Sequence, residues 1–234
     1  MAATTAVDVL TRGLLTVKGR LPGSSNATLL VAAELDGETT LAVYKPVRGE
    51  RPLWDFPPGL FRRELAAWHL SEALGWGLVP LTVEREDAPY GAGSLQLFVS
   101  ADLEQHYFTL REDTRHHDRL RRICAFDVLA NNADRKSGHC LLAEGGAIYA
   151  IDNGLCFHVE PKLRTVIWDF AGEPLSPAIV DDLRRLVAAP LPAPLAGLID
   201  PDERRALLRR ARHLLKTGRL PTDTLGRGYP WPLV

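Results

Sequence analysis

The sequence predicts an α+β protein with two lobes, a sheet-rich first lobe at 1–100 and a mainly helical second lobe at 101–234. In the first hundred residues, short segments rich in β-branched residues alternate with turn-forming residues, as in an antiparallel meander. From Asp118 onwards, apolar residues recur mainly with helical spacing, interrupted by one hairpin at 139–151. A run of strands followed by a run of helices is typical of the α+β class.

In the first lobe, turn signals at Gly23-Ser24-Ser25-Asn26 and Asp36-Gly37 separate the first three strands. A loop rich in proline and glycine follows, and the next helix stops at Gly75, since glycine readily adopts the conformation that ends helices. The predicted elements are strands at 14–18, 28–34, 39–44, 78–83 and 94–100, a loop at 46–59 and a helix at 61–74.

In the second lobe, a helix is predicted at 118–129 and two or more helices within 177–216. The hairpin at 139–151 consists of two short apolar runs joined by a glycine-containing turn. If that turn centres on Gly145, Leu142 lies opposite Ile148 and His139 lies opposite Ile151.

The composition excludes several classes of protein. The chain has 234 residues, 46% of them hydrophobic, so it can bury a core rather than remain disordered. A net charge of −1 gives no general attraction to nucleic acids, and no apolar run reaches the roughly 18 residues of a spanning helix. Three cysteines without a C-x-x-C pair suggest neither a disulfide framework nor a zinc knuckle. We therefore expect a cytoplasmic protein.

Lys45 and Glu64 are charged residues at positions that should be apolar. Lys45 ends the strand sequence AVYK, and Glu64 lies on the apolar stripe of the helix at 61–74, three residues after Phe61. A carboxylate on such a stripe is costly without a cationic partner, so the two side chains are candidates for a buried pair that holds a polyanion. Alternatively, Lys45 reaches the surface and Glu64 lies at the edge of the stripe.

Asp134, His139 and Asp152 form the second candidate constellation. Asp134 lies in the polar loop that precedes the hairpin, and His139 and Asp152 lie at the two open ends of the hairpin. Because cross-strand neighbours are about 5 Å apart, the three side chains should meet in one polar pocket that suits a metal ion or a proton. Alternatively, the two aspartates belong to plain turns and His139 is an ordinary strand residue.

Along the chain, a glycine-containing hairpin, a strand lysine, a helix glutamate, an Asp-Arg loop, a second hairpin and an Asp-x-Gly sequence follow one another. In this order of motifs the chain resembles the atypical kinase fold of the phosphatidylinositol 3- and 4-kinases and the HipA-type kinases. Over nearly its full length it is similar to a group of small bacterial proteins described as phosphatidylinositol 3/4-kinase-like. The runs that carry this second resemblance are YKPVRGERPLWDFP, NNADRKSGHCL and RTVIWDFAGEP.

The resemblance implies a role for each charged candidate. Lys45 would bind the α- and β-phosphates of ATP, and Glu64 would hold Lys45 in place. Asp134 would orient or deprotonate the acceptor hydroxyl, and Asp152 would bind magnesium between the β- and γ-phosphates. Such a site acts by positioning and by stabilising charge.

The resemblance also implies positions for the rest of the nucleotide. The loop Gly23-Ser24-Ser25-Asn26 would cover the phosphates, and the segment 96–99, with Gln96 and Phe98, would link the lobes and face the adenine. One position departs from the pattern, because His139 stands where these families have an asparagine as second metal ligand. Imidazole suits softer ions than magnesium, so the metal is expected to be Mg²⁺ or Mn²⁺.

Two hypotheses of function follow. The first is an ATP-dependent phosphotransferase whose acceptor is a protein hydroxyl, including its own, because the short stretch between Gly154 and Pro177 leaves little room for a lipid-docking region. The second is a pseudokinase-like module that binds nucleotide or protein partners without turnover. A third reading, a nucleic-acid-binding basic helix at 204–216, is weakened by the acidic residues that begin the same helix.

Overall fold

The computed structural model describes residues 4–22, 27–223, 226 and 228–233. The helices are α1 (Ala6–Arg12), α2 (Leu60–Leu74), α3 (Tyr107–Leu110), α4 (His117–Ala130), α5 (Pro177–Ala188), α6 (Ala193–Leu198) and α7 (Pro201–Thr217). The strands are β1 (Leu14–Arg20), β2 (Leu29–Leu35), β3 (Glu38–Pro46), β4 (Thr82–Arg85), β5 (Gly93–Leu97), β6 (Cys140–Leu142) and β7 (Ile148–Ala150). The α+β class with an antiparallel sheet and a helical part is confirmed.

Strands β1 to β5 form one antiparallel sheet in the order β1-β2-β3-β5-β4. The predicted meander of the first three strands is confirmed. The strand predicted at 78–83 is shifted, because residues 78 and 79 make other contacts. The N–H of Leu78 donates to Ser71 Oγ at 2.7 Å, and its carbonyl accepts from the N–H of Ala150 at 2.8 Å. Strand β4 therefore begins only at Thr82.

The two faces of β3 have different surroundings. Ala42 and Tyr44 are buried in a small core with residues of α1, whereas Val43 and Lys45 on the opposite face are half-buried. Helix α1, which the sequence analysis missed, has only seven residues and begins with a capping box between Thr5 and Asp8. The face of β3 that points away from α1 therefore presents Lys45.

Helix α2 joins the sheet to the helical part of the molecule. It contacts β4 and β5 on one side and α5 and α6 on the other. Its residues Ala66, Leu70 and Leu74 belong to the larger core, together with residues of α4, α5 and α7. Because nearly every side of α2 is covered, its buried residues include charged ones, Arg63 and Glu64.

Strands β6 and β7 pair in the predicted register, with Leu142 opposite Ile148. His139 precedes β6 in a short 3-10 turn rather than in the strand. The N–H of Ile151 nevertheless donates to the carbonyl of His139 at 3.0 Å, so these two residues are neighbours. The hairpin thus carries His139 and Asp152 to the same end.

Some basic side chains of helix α7 form hydrogen bonds within the protein. The guanidinium of Arg210 donates to the carbonyls of Leu129 and His158, and Arg204 donates to the carbonyl of Ile199. Arg204 and Arg210 are therefore held by neighbouring backbone groups, whereas Arg205, Arg209 and Arg212 are exposed. Among the described residues, none of the helices has the length and apolar character needed to cross a membrane.

Candidate functional site

Lys45 lies between two carboxylates. Its Nζ atom donates a hydrogen bond to Glu64 Oε1 and another to Asp152 Oδ1 at 2.8 Å. Burial lowers the pKa of Lys45, but the charges of Asp152 and Glu64 outweigh burial and raise it overall. The amine is therefore charged, and it joins the strand, the helix and the segment after β7.

Glu64 is held on both of its oxygens. Its side chain is 4% exposed, and Oε2 accepts a hydrogen bond from the backbone N–H of Asn153 at 2.9 Å. Helix α2, which carries Glu64, begins after Gly59, and Glu50 accepts hydrogen bonds from the N–H groups of Gly59 and Phe61. Glu50 therefore satisfies free donors at the N-terminus of the helix, where a negative charge is favourable.

Asp134 lies in the loop between α4 and β6, with Lys136 beside it. Lys136 Nζ is 3.4 Å from Asp134 Oδ2. Burial raises the pKa of Asp134, which the charge of Lys136 opposes and that of Asp152 reinforces. A raised pKa brings a carboxylate closer to the range in which a general base works well.

The imidazole of His139 lies between Asp134 and Asp152. Nδ1 is 3.0 Å from the carbonyl oxygen of Asp134 and 3.3 Å from the N–H of Lys136, and Nε2 is 3.4 Å from Asp152 Oδ2. Burial lowers the pKa of His139 to about 4, so the ring is neutral at pH 7. A proton on Nδ1 would donate to the carbonyl of Asp134, whereas a proton on Nε2 would donate towards the carboxylate of Asp152 and leave Nδ1 to accept from the N–H of Lys136.

Asp152 is the half-exposed member of the group, and it has an uncommon backbone conformation. Its φ angle is 56°, in the left-handed region that a non-glycine residue seldom adopts. The charge of Lys45 holds the pKa of Asp152 well below its usual range, against the effect of burial. The carboxylate is therefore ionised, with Lys45 on one oxygen and His139 near the other.

One cavity of about 360 Å³ is lined by all five of the predicted residues described above. Its lining is Ala27, Thr28, Lys45, Pro46, Glu50, Arg51, Leu53, Leu60, Phe61, Glu64, Asp134, Lys136, His139, Asp152, Gly154 and Leu155. Its size suits a small polyanionic ligand, and Lys45 and Lys136 supply positive charge for one.

The remaining predicted contacts with the nucleotide lie elsewhere. Gln96 and Phe98 do not line this cavity. The side chain of Gln96 is buried and donates to Thr82 Oγ1 at 2.9 Å, and the N–H of Phe98 donates to the carbonyl of Leu41. The loop Gly23-Ser24-Ser25-Asn26 lies outside the described residues.

The donor atoms at the cavity fit a divalent cation only in part. Asp134 and Asp152 supply hard oxygen donors, and neutral His139 supplies a nitrogen. The present arrangement satisfies Asp152 with Lys45, and no group of three or more His, Cys, Asp or Glu side chains within the described part of the chain is close enough to hold a metal by itself. An ion here would need oxygen ligands from the nucleotide as well, as is usual for magnesium.

Sequence reasoning missed two neighbours of Asp134. Lys136 lines the cavity. Its position two residues after Asp134 was the one sign in the sequence that the two side chains could lie together. Arg135 is fully buried and forms an ion pair with Asp127 at 2.9 Å. Asp127 is buried on α4 together with Ile123 and Cys124, and a carboxylate at such an apolar position indicates a cation nearby.

Solved structures share this fold, and two of the three described here are of kinases. The Golgi casein kinase with Mn/ADP bound matches with a TM-score of 0.57 at 15% identity, over 96% of this chain and 78% of that one. The Helicobacter pylori proinflammatory kinase CtkA matches with a TM-score of 0.50 at 13% identity, over 90% and 94%. The structure of hydra Fam20 with sugar matches with a TM-score of 0.50 at 15% identity, over 92% and 89%.

These matches correct the resemblance inferred from sequence. They support an atypical kinase fold, but they do not support a specific relation to the phosphatidylinositol 3/4-kinases or to HipA.

Sequence comparison places the chain more closely. No protein-family model matches it. Protein Rv2133c of Mycobacterium tuberculosis is 43% identical over 261 aligned positions, which cover 96% of this chain and 94% of that protein. At this identity the relation extends over nearly the whole of both chains, and this chain belongs to the same family as Protein Rv2133c.

Proposed function

We propose that this protein is an ATP- and divalent-metal-dependent phosphotransferase whose acceptor is a protein hydroxyl. The observation that carries the proposal is the contact of Lys45 with both Glu64 and Asp152 in a cavity that Asp134 also lines. The amine of Lys45 lies between two carboxylates that come from distant segments. Such a site suits a nucleotide, because the phosphates can bind the amine and the cation can bind the carboxylate of Asp152, in place of the contact between these two. The kinase fold of the structural neighbours agrees with this reading.

In the proposed complex, Lys45 binds the α- and β-phosphates, and Glu64 keeps its amine in place. Lys136, whose amine lies beside Asp134, neutralises charge on the γ-phosphate. Asp152 and His139 hold the cation, which when bound neutralises the β- and γ-phosphates. His139 favours Mn²⁺ over Mg²⁺ because imidazole is a softer donor than an amide oxygen. The Golgi casein kinase was solved with Mn/ADP bound.

The adenine is proposed to lie against the cleft-facing side of the sheet. Leu30 and Val43 are paired on β2 and β3, and both are half-buried. The segment 96–99 follows on the neighbouring strand and is proposed as the linker between the lobes at 1–100 and 101–234. The loop Gly23-Ser24-Ser25-Asn26 is proposed to cover the phosphates.

The transfer step assigned to Asp134 is a single displacement. The acceptor hydroxyl oxygen attacks the γ-phosphorus, and the bond between that phosphorus and the oxygen bridging to the β-phosphate breaks. Asp134 takes the hydroxyl proton, ADP leaves with the bridging oxygen, and a phosphate ester forms on the acceptor. A raised pKa of Asp134 suits this role.

A pseudokinase-like module is the second candidate function, and one observation favours it. One oxygen of Asp152 already contacts Lys45, and the other lies near His139. His139 also stands where the kinase families have an asparagine as metal ligand. If the cation cannot displace these contacts, the protein binds nucleotide without turnover.

A transfer assay separates the two candidates. Wild-type protein, Asp134→Asn and Asp152→Asn are incubated with γ-labelled ATP, Mn²⁺ and a mixed protein acceptor. A phosphotransferase labels protein in the wild type alone, while Asp134→Asn still binds nucleotide and Asp152→Asn loses metal-dependent binding. Nucleotide binding without labelling in the wild type would favour the pseudokinase. Equal labelling by wild type and Asp134→Asn would disprove the role assigned to Asp134.

A further inference from the structure

Arg135 is fully buried, although both of its neighbours in the chain line the cavity. Its guanidinium donates from Nε and Nη2 to the carboxylate of Asp127, which is also fully buried, at distances of 2.9 to 3.1 Å. The loop that carries Asp134 is thereby fixed to helix α4. A buried ion pair of this kind is costly to form, and well-packed apolar residues would often stabilise a protein as well.

The same guanidinium holds both residues that flank Asp152. Nη1 donates to the carbonyl of Ile151 at 2.6 Å, and Nη2 donates to Asn153 Oδ1 at 2.7 Å. Between these two anchors, Asp152 has its left-handed backbone conformation, which costs energy for a non-glycine residue. Such a conformation persists only where the surroundings hold it.

Arg135 is also connected to Lys45 through two intermediate residues. Asn153, which accepts from Arg135 through its side chain, donates its backbone N–H to Glu64 at 2.9 Å. Glu64 in turn contacts Lys45. An apolar pair in place of Asp127 and Arg135 could fill the space, but it could not bind the carbonyl and the amide oxygen on either side of Asp152.

We propose that Arg135 is a positioning residue that holds the backbone on both sides of Asp152 and so sets where its carboxylate lies relative to Asp134. This inference rests on the proposed function, because it assigns Asp152 to the cation of the nucleotide site. Arg135 touches neither nucleotide nor acceptor, and it acts through Ile151 and Asn153.

The test compares Asn153→Ala with Thr165→Val as a matched control. Asn153→Ala removes the amide oxygen that accepts from Arg135. Thr165→Val removes two hydrogen bonds, since Thr165 Oγ1 donates to Asp127 Oδ2 at 3.3 Å and accepts from the N–H of Ile167 at 3.1 Å, but it leaves residues 151–153 untouched. Mn²⁺ affinity at saturating ADP is measured by electron paramagnetic resonance, ADP affinity by calorimetry and stability by urea unfolding.

The expected result is that Asn153→Ala weakens Mn²⁺ binding about tenfold, as removal of a residue that orients a metal ligand usually does. Thr165→Val should change it less than about twofold at a similar loss of stability. Equal Mn²⁺ affinities in the two variants would overturn the inference. If Asn153→Ala does not fold, Arg135→Lys takes its place. The lysine keeps a positive charge for Asp127 but lacks the guanidinium nitrogens that bind Ile151 and Asn153, so it should show the same loss of Mn²⁺ affinity. A wild type that binds no Mn²⁺ with ADP would instead overturn the proposed function.

Discussion

Glu64 Oε2 accepts a hydrogen bond from the backbone N–H of Asn153 at 2.9 Å. The other oxygen of the same carboxylate contacts Lys45. One side chain on α2 therefore fixes both the strand that presents the lysine and the segment that presents Asp152. Any movement of α2 would separate these two groups, so the stability of this helix and the proposed binding site are linked.

The first prediction concerns this carboxylate. Glu64→Ala should lower the free energy of unfolding by about 3 kcal/mol, because it leaves the N–H of Asn153 without its acceptor and removes one partner of Lys45. Urea unfolding monitored by tryptophan fluorescence measures the change. Glu72→Ala, an exposed position on the same helix, is the control and should change stability by less than about 0.5 kcal/mol. Similar losses in both variants would show that the buried contacts add nothing.

The second prediction concerns the choice of metal. His139→Asn replaces a nitrogen donor with an amide oxygen, so the preference for Mn²⁺ over Mg²⁺ in ADP binding should fall by about tenfold. Calorimetric titration of ADP with each ion gives the ratio of the two affinities. An unchanged ratio would mean that His139 does not bind the cation.

The third prediction concerns the cysteines. Burial raises the pKa of Cys140 to about 12 and also raises the pKa values of Cys124 and Cys156, and all three side chains are at most 1% exposed. The native protein at pH 8 should therefore react with iodoacetamide at none of them, since the thiolate is the reactive form. Mass spectrometry should show three modifications only after denaturation. Rapid labelling of the folded protein would contradict this packing.

The fourth prediction concerns an ion pair between the loop after β3 and the segment after Asp152. Lys162 Nζ donates to Asp55 Oδ2 at 2.8 Å, and this hydrogen bond lowers the pKa of Asp55. A carboxylate with a lowered folded-state pKa stabilises the protein above its unfolded pKa of about 4, and this stabilisation is lost as the pH falls through the folded value.

Asp55→Asn should consequently cost up to about 1 kcal/mol at pH 6 and almost nothing near pH 2. Unfolding curves at both pH values give the two differences. Lys162→Met should produce the same loss at pH 6, and the double variant should lose no more than either single one. A loss of equal size at both pH values would point to packing rather than charge.

Much of the fold could be predicted from local sequence. The strands β1 to β3 and the helices α2, α4 and α7 followed from periodicity and from turn residues. The strand predicted at 78–83 was wrong in position, because the hydrogen bonds of Leu78 with Ser71 and Ala150 join residues far apart in the chain. Such contacts leave no signal in local periodicity.

The site was predictable where charge and burial conflict. Lys45 and Glu64 stood out because charged residues occupied apolar positions, and the structure brings the two side chains into contact. The burial of Arg135 was not visible in the sequence, because a charged residue in a polar loop looks solvated. Only the tertiary structure shows that its side chain turns inwards to Asp127.

The most direct test of the central claim is a calorimetric titration of ADP into the wild-type protein, with and without Mn²⁺. ADP is expected to bind with a micromolar dissociation constant when Mn²⁺ is present and at least tenfold more weakly without it. Lys45→Met should remove the metal-dependent binding. No heat of binding at millimolar ADP with Mn²⁺, or binding indifferent to both the ion and Lys45, would contradict a nucleotide site at this cavity.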